Sequence, residues 1–510
     1  MTASSEAAYG LVVDLVDVSI SGARELLASG DVTSAELCER HLDRIAALNH
    51  QGPALRAVLE VNPDGLDDAQ RLDEQQSADA PAGPLAGIPI LVKDSIDTAD
   101  ATMTSAGSIA MLGHVATRDA FVVDRLRRAG AVILGKANMT EWSYMRSART
   151  CSGWSSRGGQ IRNPHVLDRT PSGSSGGSAV AVATGMCMGA LGAEVDGSVV
   201  RPASANGIVG IKPTVGLLSR SGVMPVADPQ DTVGPMARTV RDVALLLTVL
   251  AAPDPDDPAT LVDERPPPVD FTAGLSNNAL RGARIGVARD MMGTHEGVDA
   301  VIESAIETMR DLGAEIIDPA LGAWTPFFGE AEVELCLYGF RHGIDRYLAT
   351  HPTSPMRSLA DVAAFNTAHA DEVMAYFPQD LFEMALTRGD LTDDVYLDAK
   401  AECRRMSRTD GIDKVIATHR LDALVAPTDG TPPWAIDLLV GDHIVGGASA
   451  PPAMAGYPHV TVPAGTCHGL PTALSFIGTA WNDAELLRYA YAFEQATSAR
   501  RPPTFVPTTT

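Results

Sequence analysis

Apolar positions along this chain recur with two periods, one helical and one strand-like, and the two alternate. Leu37, His41, Ile45 and Leu48 follow at helical spacing behind Thr33-Ser34-Ala35-Glu36, which carries the capping-box pattern. Gly87-Ile88-Pro89-Ile90-Leu91-Val92-Lys93-Asp94 reads as a short buried strand that ends in charge. Asp119 is placed to cap a helix from Ala120 to Ala129, ended by Gly130, with a strand from Ala131 to Leu134 after it. The same unit recurs twice: a helix at Val301–Leu312 before a strand at Ala314–Ile317, and a helix at Ala401–His419 before a strand at Ala423–Ala426. Helix-then-strand units of this kind predict an α/β sheet covered by helices.

Two stretches break the rhythm. Residues 253–270, PDPDDPATLVDERPPPVD, form a Pro/Asp-rich connector that either separates two lobes or runs as a surface loop of one. Eleven aromatics lie between Trp324 and Tyr396, among them Phe327, Phe328, Tyr338, Phe340 and Tyr347. They read as the core of a helical segment or as an aromatic-lined substrate pocket. The tail from Arg500 is expected to be extended.

Composition narrows the function classes. The 510 residues are 45% hydrophobic and 20% charged, enough apolar material for a sizeable core. The formal charge of -25 repels phosphate backbones, so no nucleic-acid partner is expected. The longest apolar run, Ala179–Ala193, would reach only about 22 Å as a helix, against a bilayer core of about 30 Å. The N-terminus lacks the basic region of a signal peptide, so a cytoplasmic protein without membrane partner is expected. Six scattered cysteines with no CxxC pair read as buried free thiols. The histidines offer no HExxH, and His443 and His459 stand isolated, so neither metal nor cofactor is expected.

The candidate chemistry concentrates between Pro171 and Pro202. Two serines sit in glycine-rich loops: Ser174 in Gly173-Ser174-Ser175-Gly176-Gly177 and Ser198 in Asp196-Gly197-Ser198. No histidine lies nearby, so a base must come from elsewhere in the chain. Gly173 to Gly177 satisfies GxSxG around Ser175, but a nucleophile elbow needs a strand before it and Arg162–Pro171 reads as loop. Gly130 to Ala137 nearly matches a phosphate loop, yet Ala137 replaces the metal-binding hydroxyl and the run is strand-like. Only five lysines occur, Lys93, Lys136, Lys212, Lys400 and Lys414. Lys93 either snorkels from a strand end or is a buried neutral base. Bringing its pKa from about 10.4 to about 7 costs roughly 4.6 kcal/mol, within reach of burial. Lys212, before Pro213, is expected to pair with an acid.

Taken together, Lys93, Ser174 and Ser198 resemble the Ser–Ser–Lys triad of the amidase signature family. The resemblance is carried by GIPILVKDSIDT around Lys93, by PSGSSGGSAVAVATG around Ser174 and by the 24-residue step between the serines. It continues from Asn206 to Ala244 and extends over about residues 15–498. Ala137–Ser143, Ser152–Gly159 and Gly441-Asp442-His443 are most similar to the bacterial peptide amidase branch. The chain departs from that branch at Ala193 and Val195, where threonines are usual, and at Arg201, where a small residue is usual.

The resemblance implies one amidase domain over 1–510 with a large mixed β-sheet sandwiched between helices. Its parts would be a helical N-terminal part (about 10–75), a catalytic core (about 76–250), the connector (about 253–270), a substrate-pocket helical segment (about 320–410) and a C-terminal part (about 411–498). The implied activity is hydrolysis of a carboxamide to a carboxylic acid through a seryl acyl-enzyme. An esterase or urethanase, or an amidotransferase of the A type, would use the same triad. The implied roles are Ser198 as nucleophile, Ser174 behind a cis peptide bond as proton relay, and Lys93 as base. Backbone amides of Val195, Asp196, Gly197 and Ser198 would form the oxyanion hole, and Met145, Gly173, Trp324, Phe328 and Asp231 would contact substrate. Ser175 and Ser178 would hold the loop, and Asp196, Gln230 and Asp231 lean towards structural support. The expected partner is a small-molecule or peptide amide, and the protein a monomer or homodimer.

Overall fold

The structure is a computed structural model that describes residues 18–76, 83–320, 322 and 329–509. Its strands, in chain order, begin with β1 (Val58–Val61), β2 (Pro89–Lys93), β3 (Val132–Ala137), β4 (Trp154–Ser155), β5 (Gly159–Gln160), β6 (Gly189–Glu194) and β7 (Val209–Lys212). They continue with β8 (Thr232–Ala237), β9 (Arg284–Val287), β10 (Glu315–Ile317), β11 (Ala423–Pro427), β12 (His459–Cys467) and β13 (Leu470–Ile477). Among the described residues eleven of these make one mixed sheet in the order β1-β3-β2-β6-β8-β7-β12-β13-β11-β9-β10, while β4 and β5 pair separately. β2 runs parallel to both β3 and β6, and the centre from β8 to β13 is antiparallel.

The alternation of side chains across each strand explains why the sheet is covered on both faces. Ile90 and Val92 of β2 enter one apolar cluster and Leu91 enters the other. Ile133 opposes Val132 and Leu134 in the same way. Helix Val240–Leu250 covers the first face, and helix Gly176–Ala183 the second. Strands buried on both faces read as continuous apolar runs, which is the pattern of β2 and β3. The near-phosphate-loop Gly130–Ala137 is therefore turn and strand. Its Lys136 is buried and donates to the Ile96 carbonyl and to Thr104 Oγ1.

Several sequence expectations are refined. The capping box forms, with Thr33 and Glu36 exchanging side-chain-to-backbone bonds at the start of helix Ser34–Leu48. Asp119 does not cap the next helix. Ala120 is its N-cap without a side-chain bond, and Asp119 accepts from the Ala99 amide and pairs with Arg127. The Ala99 amide, from the loop after β2, and the guanidinium of Arg127, from the last turn of the same helix, outcompete the N-terminal cap. The apolar run Ala179–Ala193 divides into the end of helix Gly176–Ala183 and most of β6, because Gly185 lets the chain turn at a φ of 72°. The helix read over Ala401–His419 belongs to Asp394–Arg404, a wide π turn at Arg405–Ile412 and Asp413–His419, interrupted at Gly411. Lys212 makes no ion pair among the described residues; its Nζ donates to the Pro213 carbonyl at 3.2 Å. The carboxylates of Glu194, Asp483 and Asp196 act on it only from further off.

The connector is tied down. Asp254 accepts from Ser219 Oγ at 2.5 Å, and Asp257 takes the Arg220 guanidinium at 2.9 and 2.7 Å. All six cysteines are free and buried. Among the described residues no helix is long and apolar enough to cross a membrane.

Candidate active site

Lys93 closes β2, and its side chain turns into a fully buried space. Its Nζ lies 2.7 Å from Ser174 Oγ, 2.9 Å from the Ala193 carbonyl and 3.5 Å from Ser143 Oγ. Burial is the largest influence on this amine and lowers its pKa to about 7, while Glu194 and Asp231 act in the opposite sense. Residues 81 apart in sequence meet because β2 runs parallel to β6, and the Ser174 loop is tied to β6 by the Ser175 and Ser178 hydroxyls.

Ser174 stands before helix Gly176–Ala183, after a cis Gly173–Ser174 peptide bond. Its carbonyl accepts from the Thr140 amide at 2.9 Å. Gly173 is required by space: a Cβ there would overlap Thr140 Oγ1 and lie 2.7 Å from Tyr144 Oη. The segment that provides these neighbours is strained. Trp142, Ser143 and Tyr144 have φ of 51°, 52° and 75°, three successive side-chain-bearing residues in the left-handed region. That turn aims Ser143 at Lys93 and Tyr144 at Gly173. Tyr144 Oη bonds Ser152 Oγ at 2.5 Å, and Asp442 accepts the Ser152 amide at 2.9 Å and Trp434 Nε1 at 3.2 Å. The Gly-Asp-His segment therefore supports the site through Asp442, while His443 is exposed.

Ser198 follows β6 in a loop folded around one carboxylate. Glu194 Oε1 accepts the Gly197 amide at 2.9 Å, and its Oε2 accepts the amides of Val199 and Val200 at 2.6 and 3.1 Å. The Gly197 N–H is therefore occupied, and the oxyanion donors expected from the sequence narrow to Val195, Asp196 and Ser198. Ser175 donates its amide to the Ser198 carbonyl at 3.1 Å and its hydroxyl to the Ala193 carbonyl at 3.3 Å; Ser178 Oγ reaches the Leu191 carbonyl at 3.0 Å. These bonds tie the two serine loops to β6. No hydrogen bond joins the Ser174 and Ser198 hydroxyls in this arrangement; Ser198 lines a cavity of about 970 Å³. Arg201 fits beside Ser198 because Gly197 leaves room at a φ of 76°, and Asp429 takes its Nε at 2.7 Å.

The cavity wall includes Ser143, Ala193, Val195, Met224, Asp231 and Tyr347. Asp231 accepts the Val226 amide at 2.9 Å, and burial raises its carboxyl to about 6. Met145 instead packs in an apolar cluster with Trp142, Phe340 and Phe382, and the cavity does not reach it. Trp324 and Phe328 lie outside the described residues. Of the other aromatics, Phe340, Phe377 and Phe382 are core, and Tyr347 reaches the cavity. Sequence reasoning missed three neighbours of the site, Ser143, Tyr144 and Glu194. Ser143 closes a segment that the family resemblance already marks; nothing in the sequence marks Glu194 as the organiser of a loop.

A buried lysine amine within hydrogen-bonding distance of a serine on a mixed α/β sheet is an arrangement suited to acyl transfer, and the comparisons with known proteins show the class to be that of amidases, hydrolases of amide C–N bonds. The chain belongs to the amidase family, whose pattern, described as Amidase, matches residues 36–487. It is similar to a probable amidase of Arabidopsis thaliana, 38% identical over 486 residues that cover 93% of this chain and 89% of that one. It is also similar to a chain of the Glutamyl-tRNA(Gln) amidotransferase of Symbiobacterium thermophilum, 38% identical over 498 residues, 94% of this chain and 97% of that one. The solved structure of the peptide amidase from Stenotrophomonas maltophilia superposes with a TM-score of 0.90 at 44% identity, covering 96% of this chain and 99% of that one.

Proposed function

We propose that the enzyme hydrolyses carboxamides through a seryl acyl-enzyme in which Ser198 is the nucleophile, Ser174 the proton relay and neutral Lys93 the base. The observation that carries this reading is the 2.7 Å contact between the buried Lys93 amine and Ser174 Oγ. A neutral amine has two protons and one lone pair. Those protons face the Ala193 carbonyl and Ser143, which leaves the lone pair for the Ser174 proton. As Ser198 Oγ bonds to the amide carbon, its proton moves to Ser174 and the Ser174 proton moves to Lys93. The carbonyl oxygen gains the negative charge, stabilised by amides of Val195, Asp196 and Ser198 at about 2.7–4 kcal/mol for each donor. When the C–N bond breaks, the proton returns through Ser174 to the departing nitrogen. Water then attacks the acyl-Ser198 ester through the same relay and releases the acid.

The likeness to a peptide amidase supports a peptide carrying a C-terminal amide as the substrate, ahead of aryl and short aliphatic amides. A cavity of about 970 Å³ suits a substrate larger than a single short amide, with Asp231 on its wall. The equal identity to an amidotransferase chain keeps a second reading, in which the released ammonia is passed to a partner. The test is product release by the purified protein alone, read as ammonia or amine from peptide amides, aryl amides and carbamates and as alcohol from esters. Turnover of a peptide amide that Ser198→Ala abolishes, with the circular dichroism spectrum unchanged, supports the proposal. Retained turnover in that variant identifies another nucleophile. Ammonia release only from glutamine and only with added partner proteins favours the amidotransferase.

A further inference from the structure

A second polar cluster lies in the wall of the same cavity, and the triad makes no use of it. Asp97 sits in the loop that follows β2, His114 in the loop after residue 111, and His351 just beyond helix Glu330–Ala349. Each offers a ligand atom, and the three atoms lie within 4.8 Å of one another. All three residues are buried, and Asp97 and His351 line the cavity that also holds Ser198, which gives a path from solvent.

The hydrogen bonds around the cluster have the form of a metal site's supporting shell. His351 Nδ1 faces the Tyr347 carbonyl at 2.8 Å, which fixes its proton there and turns Nε2 towards Asp97 Oδ2 at 3.0 Å. Facing a carboxylate, Nε2 carries either a second proton or a cation. The Tyr347 hydroxyl donates to Asp97 Oδ1 at 2.6 Å and sits 3.0 Å from His114 Nε2, so a phenol oxygen stands beside the three ligands. His114 Nδ1 is buried and without a hydrogen-bond partner among the described residues. Two positive groups oppose a cation: buried Lys136, which donates to the Ile96 carbonyl, and Arg118, which lies more openly on the cavity wall. One carboxylate and two imidazoles are a borderline donor set suited to zinc-class ions, and not to calcium or magnesium, which take oxygen ligands.

We propose that Asp97, His114 and His351 bind one divalent transition-metal ion of the zinc class in the wall of the catalytic cavity. Such an ion ties the loop after Lys93 to the end of helix Glu330–Ala349. The test uses full-length protein stripped with a chelator and titrated with Co²⁺ or Zn²⁺. Bound Co²⁺ is read by its visible ligand-field absorption and Zn²⁺ by calorimetry. The expected result is one ion per chain, with an affinity lowered about tenfold or more in both Asp97→Asn and His114→Phe. Ser198→Ala is expected to bind the ion as the parent does. Asp97→Asn keeps an acceptor for Tyr347, and its thermal midpoint without metal reports whether the fold is intact. Absence of a Co²⁺ spectrum in the parent protein overturns the proposal, as does stoichiometric binding that persists in both variants.

Discussion

The proposed role of Lys93 as a base near neutrality rests on surroundings that withhold water without supplying a countercharge in contact. Its neighbours are two hydroxyls and a carbonyl, all of which a neutral amine can satisfy. The lowered pKa of about 7 has a direct kinetic consequence. Below that pH Lys93 holds its proton and cannot take one from Ser174; above it the free base dominates. The kcat/KM profile is therefore expected to rise tenfold per pH unit and level off above an apparent pKa near 7. Lys93→Ala is expected to lower kcat/KM by about 10²–10⁴ and to remove that limb. An identical limb in the variant would assign the titration to another group, with Asp231 the first candidate.

The loop Glu194–Ser198 shows how one side chain can organise an element. The turn leaves its amides without strand partners, and the Glu194 carboxylate collects those of Gly197, Val199 and Val200. The carboxylate is thereby spent on structure, and in the proposed mechanism the amides of Val195, Asp196 and Ser198 serve the substrate oxygen. Glu194→Gln replaces one acceptor oxygen with a donor that opposes an amide. The expected effect is a fall of about 10² in kcat, the size of one lost oxyanion donor, with KM little changed. A matching rise in KM at constant kcat would show that the loop serves binding instead. The strained Trp142–Tyr144 turn is a comparable device. It directs Ser143 to Lys93 and Tyr144 to Gly173, and Asp442 anchors it through Ser152.

Across the molecule, the helical segment beyond residue 329 is joined to the catalytic core by a buried charge. Arg146 is fully buried, pairs with Glu141 at 3.1 Å, donates to the Val373 carbonyl and lies 4.2 Å from the centre of the Phe377 ring. Arg146→Met strands Glu141 without its partner and is expected to cost about 3–5 kcal/mol, read as a lower denaturant midpoint. An unchanged midpoint would mean that Glu141 is protonated and needs no partner. The connector works to the same end: Ser219 and Arg220 clamp Asp254 and Asp257 against the core, so a stretch that could have joined separate lobes is held as a surface loop.

Local periodicity and capping chemistry made most elements legible: the Thr33 box, the apolar runs of β2 and β3 and the strands of the helix-then-strand units lie close to their expected places, while the helix read at Ala401–His419 begins at Asp394 and is interrupted at Gly411. The pairing of Lys93 with Ser174 was legible only through the family resemblance, because the residues by themselves left Lys93 as either a snorkelling strand end or a buried base. What the chain could not announce is what depends on meeting across the sheet. Asp119 finds the Ala99 amide and the far end of its own helix at Arg127 in place of the N-cap position, the Gly197 amide is claimed by Glu194, and Met145 turns into the core. Likewise Asp97, His114 and His351, far apart in sequence, become neighbours only when the helix ending at Ala349 closes over the loop after β2. A side chain's competition among partners is decided by distance in space, and packing alone sets that distance.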